Sequence, residues 1–167
     1  MDHPLSHSFV RRLSGTVSIV LLGTMMLPAA VMADTADEVR SEIMSSSAYA
    51  RKNLKDMEGA ISSQGALEFW SSGGLIQKVP ANSPPATYDD FTLTPKHVEV
   101  VTLVEGKAAV AMYYSEGSYH QKGSELVPHY MTRITEVYVK EDGKWKVRAA
   151  HYSPIAAGSG TRQSAID

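Results

Sequence analysis

The sequence predicts a single α+β domain in which N-terminal helices pack on one face of an antiparallel sheet. Three observations support this fold class: apolar residues recur at helical spacing in the first half, β-branched runs dominate after Pro95, and an Asp-Gly pair separates the last two runs. The chain has 167 residues, which is enough for one domain, and 43% apolar with 20% charged residues excludes a mainly disordered protein.

Charge and cysteine content exclude several classes of function. The 16 basic and 18 acidic residues give a formal net charge of -2, so no basic excess supports nucleic-acid binding. The sequence contains no cysteine, which rules out disulfides, thiolate metal sites and cysteine nucleophiles. The histidines lack metal-ligand spacing and no glycine-rich phosphate loop is present, so we expect neither a metal nor a cofactor.

Residues 1–33 have the layout of a secretory signal peptide. Two arginines, Arg11-Arg12, precede an uncharged apolar stretch over residues 17–31, and the segment closes with the small-residue site Val31-Met32-Ala33. The apolar stretch is shorter than the ~20 residues that a membrane-spanning helix requires. We therefore expect cleavage after Ala33, export to the periplasm or the medium, and no membrane anchor in the mature protein.

The mature chain begins with a helical pattern. Thr35 and Glu38 have the spacing of a Thr-x-x-Glu capping box. Apolar residues then follow at steps of three, four and seven, which is one helical stripe: Val39, Ile43, Ala50, Leu54, Met57 and Ile61. A second apolar cluster, Ala66 to Trp70, runs into Ser71-Ser72-Gly73-Gly74, a typical helix end, and predicts a second helical segment.

Prolines mark the change from helices to strands. Three prolines exclude residues 79–87 from a helix interior or a central strand. Extended β-branched and aromatic runs follow, and the sequence predicts a strand for each: 97–104, 108–114, 130–140 and 145–152. Residues 34–155 therefore form the predicted domain, and the small and polar residues 156–167 are predicted to be a flexible tail.

The last two strands are predicted to form a hairpin with Asp142-Gly143 as its turn, because both turn positions need positive φ. An uninterrupted register pairs Lys140 with Trp145 and Tyr138 with Val147, and further along the strands it pairs Glu136 with Ala149 and Ile134 with His151. Side chains of paired residues share a face of the sheet. The face of Tyr138 and Trp145 is the more aromatic, so we expect it to meet the helices.

Two polar residues fall on this predicted inner face, Glu136 and His151, diagonal to each other. A carboxylate and an imidazole on an apolar face form a candidate general acid/base pair. The alternatives are that the two side chains only satisfy each other, or that both are solvated at the strand end. Tyr114, Trp70 and Tyr138 are further candidates for lining a pocket, with a role in the core as the alternative for each.

The closing hairpin, residues 135–147, resembles that of the nuclear transport factor 2-like superfamily, in particular its SnoaL-like branch, and is similar to the calcium/calmodulin-dependent kinase II association domain. The ending His151-Tyr152-Ser153 is similar to the His-x-Ser ending common there. The resemblance spans residues 36–155. It implies a curved sheet wrapped around N-terminal helices, a cystatin-like cone with a pocket at its open end, and it puts Tyr114, Glu136 and His151 on the pocket side.

Three functions agree with these features. The first is an exported domain that binds a small molecule in the mouth of the cone and forms a homodimer. The second is a pocket enzyme of isomerase or dehydratase type, with Glu136 and His151 as acid and base and Tyr114 orienting a substrate oxygen. The third is a self-association module without a ligand, which uses apolar residues of the predicted outer face: Val137, Val139, Ala150 and Tyr152.

Overall fold

The structure is a computed structural model and describes residues 34–155. The predicted signal peptide and the predicted tail lie outside the described residues. The one helix of the described chain is α1 (Thr35–Asn53), and it is not long and apolar enough to cross a bilayer. The strands are β1 (Ala66–Phe69), β2 (Gln77–Val79), β3 (Tyr88–Phe91), β4 (Thr94–Val104), β5 (Ala108–Gln121), β6 (Val127–Glu141) and β7 (Lys144–Pro154).

The start of α1 differs from the predicted capping box. Asp34 is the N-cap, and its carboxylate accepts a hydrogen bond from the backbone N–H of Asp37 at 2.7 Å. The hydroxyl of Thr35 instead donates to Glu105 at 2.6 Å, which ties the helix start to the β4–β5 turn. Glu38 accepts from cationic and indole donors of the sheet, Lys140 and Trp145. The ion pair with Lys140 adds an attraction between opposite charges that a bond to a backbone amide does not offer.

The helix ends earlier than its apolar stripe predicts. Leu54 has a left-handed backbone conformation with φ of 52°, and its N–H bonds to the carbonyl of Ala50 at 2.9 Å, which closes the last turn. The stripe is therefore helical only up to Ala50. Beyond it the chain runs along the sheet, where Ile61 forms a bridge with Val147.

The second predicted helical segment is wrong, because Ala66–Phe69 is strand β1. Its side chains alternate as in a strand, with Ala66 and Glu68 buried and Leu67 and Phe69 exposed. The run is too short to nucleate a helix alone. Pairing with β7 and β2 satisfies its backbone instead. Gly65 precedes it with φ of 75°, and a Cβ there would lie 2.5 Å from the carbonyl oxygen of Val79.

The seven strands form one sheet, six of them in the order β2-β1-β7-β6-β5-β3. Strand β4 and strand β3 both pair with β5, β4 along residues 108–116 and β3 along residues 119–121. All pairs are antiparallel except β1 with β7, which is parallel, so the sheet is mixed. The four predicted strands are confirmed as β4 to β7, each longer than predicted. One helix on a large curved sheet confirms the predicted α+β class.

The helix packs on one face of the sheet and forms the hydrophobic core there. The buried cluster combines two helix residues with four from β5, β6 and β7: Val39, Ile43, Ala109, Ala111, Tyr138 and Trp145. Ala109 and Ala111 are fully buried, since small side chains let the helix approach β5 closely. The predicted inward direction of Tyr138 and Trp145 is confirmed.

The predicted register of the closing hairpin holds near the turn and fails beyond it. Asp142 and Gly143 have positive φ of 51° and 76°, as predicted for the turn. Lys140 pairs with Trp145 and Tyr138 with Val147. Arg148 then has no partner on β6, which makes it the extra residue of a β-bulge.

The bulge shifts every later pair by one residue, so that Glu136 faces Ala150, Thr135 faces His151 and Ile134 faces Tyr152. A shift of one residue reverses which face each side chain points to. Ala150 and Tyr152, predicted on the outer face, therefore point inward. His151, predicted on the inner face, points outward and is exposed.

Candidate functional site

Glu136 lies on the inner face of β6 with only 6% of its surface exposed. One carboxylate oxygen, Oε2, accepts hydrogen bonds from the hydroxyls of Tyr138 at 2.7 Å and Tyr113 at 2.8 Å. The other, Oε1, accepts from the hydroxyl of Tyr152 at 3.2 Å. Burial raises the pKa of Glu136, and the three hydroxyl donors oppose that rise. The carboxylate is thus fully satisfied by the protein itself.

The three donors come from three adjacent strands. Tyr113 lies on β5, Tyr138 lies two residues from Glu136 on β6, and Tyr152 reaches it from β7 because the bulge turns that side chain inward. Burial first, and the charge of Glu136 second, raise the pKa of each of these tyrosines well above the ordinary value. All three therefore remain protonated and keep donating across the physiological range.

A second buried carboxylate, Glu68, lies in the same row of the sheet. Glu68 on β1 and Glu136 on β6 both pair with Ala150 of β7, one from each side. Two strand spacings put their Cα atoms about 10 Å apart. The side chain between them is the methyl group of Ala150, which is itself buried.

Glu68 is 5% exposed, and within residues 34–155 no group donates a hydrogen bond to its carboxylate. Burial raises the pKa of Glu68 to about 7, and the negative charges of Glu136 and Asp56 add to the rise. Glu68 therefore titrates near neutral pH. The two glutamates have the same side chain and similar burial, and they differ in hydrogen-bond partners.

Asp56 is the third carboxylate of this interior. It follows α1 in the chain and accepts a hydrogen bond from the hydroxyl of Tyr88 at 2.8 Å. Burial raises the pKa of Asp56, and the bond from Tyr88 opposes the rise. None of the ion pairs formed within residues 34–155 involves Asp56, Glu68 or Glu136.

Aromatic rings border the two glutamates. Trp70 follows Glu68 by two residues, so both point to the same face. Its ring stacks on Tyr152 with centroids 5.2 Å apart and planes 21° apart, and 42% of the residue is exposed. We name the group formed by Glu68, Glu136, Trp70 and Tyr152 the interior site. It joins a carboxylate that has three hydroxyl donors, a carboxylate to which no group within residues 34–155 donates, and a half-exposed indole.

The predicted site residues are divided between the two faces of the sheet. Glu136 and Tyr138 are inside and hydrogen-bonded to each other, and Trp70 borders the site. The predicted placement of His151 beside Glu136 is wrong because of the bulge, and the imidazole lies against Phe69 with ring centroids 5.7 Å apart. The acid/base pair predicted from the register is therefore not assembled.

Tyr114 also lies on the outer face, where its ring meets that of His97 at a centroid distance of 6.2 Å. The prediction that Tyr114 points inward is wrong, because the preceding residue, Tyr113, occupies the inward position of β5. The helix decides this alternation, because only the small pair Ala109 and Ala111 fits beneath α1.

The sequence prediction missed Glu68, Tyr113, Tyr152 and Asp56. One signal for Glu68 was present: a charged residue within the apolar run Ala66 to Trp70. In a strand, Glu68 lies on the same face as Ala66 and Trp70. The helical interpretation does not place these three residues on one face. Nothing local marks the bulge that brings in Tyr152.

Two surface depressions of the described chain lie apart from both glutamates. One of about 360 Å³ is lined by residues that include Gly65, Lys78 and Arg148. The other, of about 560 Å³, is lined by residues that include Gly117 and His129. Within residues 34–155, no group of three or more His, Cys, Asp or Glu side chains is arranged to hold a metal ion.

No family model matches the sequence, and no curated protein matches it. Among solved structures, the chain is similar to a protein from Exiguobacterium sibiricum 255-15 described as a Ca/calmodulin-dependent kinase II association domain. The two are 13% identical with a TM-score of 0.52, over 72% of this chain and 93% of that chain.

Two further solved structures have lower TM-scores. A nuclear transport factor 2-like protein from Cytophaga hutchinsonii ATCC 33406 is 13% identical with a TM-score of 0.44, over 71% of this chain and 90% of that chain. A nuclear transport factor 2-like protein of unknown function from Shewanella baltica OS155 is 16% identical with a TM-score of 0.40, over 70% of this chain and 91% of that chain.

The chain shares its fold with the structure from Exiguobacterium sibiricum, so the resemblance seen in the closing hairpin is confirmed at the level of the fold. At this level of identity the likeness extends to the fold and not to the activity. The SnoaL-like branch stays a prediction.

Proposed function

We propose that the protein binds a small molecule at the interior site. One observation carries this proposal: Glu68 is buried, and no group within residues 34–155 donates to its carboxylate. Within residues 34–155 no fully buried side-chain oxygen or nitrogen lacks a hydrogen-bond partner, so the Glu68 oxygens keep contact with solvent. A carboxylate that is shielded on most of its surface and reached by solvent at its oxygens is open to a ligand that replaces this solvent.

The surroundings of Glu68 support the same proposal. The satisfied Glu136 and the small Ala150 lie beside it in one row, and the half-exposed ring of Trp70 borders it toward solvent. Small-molecule sites in proteins combine apolar walls with a few convergent polar groups. In this proposal Glu68 contacts the ligand, Glu136 adds a second negative charge next to Glu68, and Trp70 lies at the entrance to the interior site.

A fragment screen by ligand-observed NMR tests the proposal. We expect hits whose affinity falls by about tenfold, or 1.4 kcal/mol, in Trp70→Ala. Phe69→Ala is the matched control, because Phe69 is the adjacent aromatic residue, is similarly exposed at 44% and points to the opposite face. An absence of hits, or hits that Phe69→Ala weakens as much as Trp70→Ala, contradicts the proposal.

Proton transfer is a second candidate function, favoured by the pKa of about 7 at Glu68. A general base works best when its pKa lies near the working pH. In this version Glu68 acts alone as the base, since Glu136 already accepts three hydroxyl donors. Incubation of screening hits in heavy water tests it: exchange of a ligand C–H that disappears in Glu68→Gln supports catalysis, and the absence of any exchange contradicts it.

We also propose that the protein is exported and self-associates. Export is supported by the arginines, the apolar stretch and the small-residue site within residues 1–33. The intact mass of protein recovered from the exported fraction tests it, and a chain that begins at Asp34 is the expected result.

Self-association is supported by apolar side chains on the outer face of the sheet, where Val101, Val110 and Val137 lie side by side.

A further inference from the structure

We infer that the interior site selects an organic cation, an alkylammonium or arylalkylammonium group, as its ligand. The inference rests on the proposed function and adds the chemical class of the ligand. Three independent features of the site support it: the sign of the charges around Glu68, the absence of an internal counter-ion among the described residues, and the aromatic ring beside it.

All charges acting on Glu68 are negative. Glu136 lies across Ala150 in the same row, and Asp56 acts on Glu68 from the segment after α1. An anionic ligand would be repelled by all three carboxylates at once. A neutral ligand offers Glu68 no counter-charge, so the carboxylate would keep its contact with solvent or take up a proton. A cation is the one charge type that every group of the cluster attracts.

No internal cation fills this role within residues 34–155. Basic side chains of the last two strands are engaged elsewhere: Lys140 pairs with Glu38, Lys146 pairs with Glu141, and Arg148 donates to the carbonyl of Gly65. The ion pairs of the described chain leave all three interior carboxylates out. The negative charge of the interior is thus available to a cation from solvent.

The geometry of the strand adds an aromatic contact to the carboxylate. Trp70 lies on the same face as Glu68, two residues further along the chain, and its ring is stacked on Tyr152. Tryptophan offers the most favourable ring face for an ammonium group. A primary ammonium carries three N–H donors. Such a cation entering past Trp70 donates to the oxygens of Glu68, to which no group within residues 34–155 donates.

Three probes of similar shape test the sign of the charge: benzylamine as the cation, benzyl alcohol as the neutral compound and benzoate as the anion. Their affinities for the whole protein are measured by titration NMR near pH 8, above the pKa of Glu68. We expect benzylamine to bind at least about tenfold tighter than benzyl alcohol, and benzoate to bind weakest. In Glu68→Gln the preference for the amine should fall to about twofold or less.

Control variants separate this site from nonspecific attraction. Glu125→Gln removes an exposed surface carboxylate and should leave the preference unchanged. Trp70→Ala removes a half-exposed side chain and should weaken benzylamine binding. This variant provides an independent test in case Glu68→Gln does not fold. A preference that survives both Glu68→Gln and Trp70→Ala overturns the inference, because the cation then binds elsewhere.

The remaining outcomes distinguish this inference from the proposed function. Equal affinity of benzylamine and benzyl alcohol, both weakened by Trp70→Ala, overturns the cation class and leaves a neutral ligand pocket in place. No binding by any of the three probes also overturns the cation class. The proposed function itself fails only if the wider fragment screen also yields no compound whose binding depends on Trp70.

Discussion

Glu68 and Glu136 are the same side chain held in two different states. Both are almost fully buried, and both pair with Ala150. Glu136 has three hydroxyl donors, which oppose the rise in its pKa, and the carboxylate of Glu68 has none within the described residues. Hydrogen bonding to the charged form therefore separates the pKa values of two carboxylates that are otherwise similarly buried.

At the residue scale, we predict that the free energy of unfolding falls as the pH rises from the ordinary carboxyl pKa of 4.5 toward about 7. The pKa of Glu68 is raised in the folded protein, so the folded state binds this proton more tightly than the unfolded chain does. The resulting stability is present at low pH and is lost as the pH rises through the folded pKa. Asp56 and Glu136, whose pKa values are also raised, act in the same direction.

Urea unfolding at closely spaced pH values measures this dependence. Glu68→Gln should reduce the decline and increase the stability near pH 8, because the amide carries no charge to bury. Glu125→Gln on the surface is the control and should keep the wild-type slope. An identical slope in the wild type and in Glu68→Gln would show that Glu68 is not held as described.

Two neighbouring tyrosines provide a second test at this scale. Tyr113→Phe removes one donor from the buried carboxylate of Glu136 and should lower the free energy of unfolding by about 1.5–3 kcal/mol. Tyr114→Phe makes the same chemical change one residue away on the outer face, and should stay within about 0.5 kcal/mol. Denaturant midpoints compare the two, and equal effects would mean that the two faces of β5 are assigned incorrectly.

At the scale of elements, Arg148 acts as a spacer in β7. Its backbone has no partner on β6, and its guanidinium donates to the carbonyl of Gly65 at 3.3 Å. We predict that deleting Arg148 prevents stable folding, because the later residues of β7 would reverse faces and Tyr152 would leave Glu136. Arg148→Ala keeps the spacing and removes only the side chain, so it should lower stability by about 1 kcal/mol.

Circular dichroism melts of the two variants check this prediction. A deletion variant that melts like Arg148→Ala would show that the strand accepts either register, and the inward position of Tyr152 would then not depend on the bulge. Loss of the folded signal in the deletion alone is the expected result.

The elements that the sequence predicts correctly are those with local causes. The Asp142-Gly143 turn depends on the φ preferences of two adjacent residues, and the prolines between 79 and 87 act through their own rings. Strand β1 was misassigned because it is a strand only through pairing with β7, far away in the chain. Local spacing alone does not distinguish a short buried strand from a short helix.

The candidate site was predicted less well than the fold for the same reason. Glu136 was correctly directed inward because it lies close to the hairpin turn in sequence and shares its strand with Tyr138. Its partners Tyr113 and Tyr152 depend on the packing of α1 against β5 and on the bulge at Arg148, neither of which has a local signal. Residues that meet across several strands are therefore found only once the register of each strand is known.

At the scale of the whole domain, residues 34–155, the outer face of the sheet carries apolar side chains. Val101, Val110 and Val137 adjoin across three strands, and Met112 on the same face is 54% exposed. Apolar patches of this kind on soluble proteins mark association surfaces. We expect a second copy of the chain to cover this face, since homodimers with twofold symmetry are the commonest soluble oligomers.

We predict that the purified protein sediments as a dimer and that Met112→Lys shifts it to a monomer. Burying an ammonium in an apolar interface is unfavourable even though Glu99, the cross-strand partner of Met112, offsets part of its charge. Met44→Lys, which changes a methionine of α1 that is 43% exposed, is the matched control and should leave the dimer intact. Sedimentation equilibrium distinguishes the species. A monomeric wild type, or a dimer that withstands Met112→Lys, would contradict this use of the face.

The bulge at Arg148 also bears on how proteins of this fold diverge. Insertion or loss of one codon in such a strand exchanges the whole set of side chains that enters the interior, while every residue type in the strand is retained. Here the exchange decides whether an imidazole or a phenol accompanies Glu136. Alignments that match residues by type can therefore pair inward positions with outward ones. Transfer of a catalytic role between these proteins requires that their bulges be aligned first.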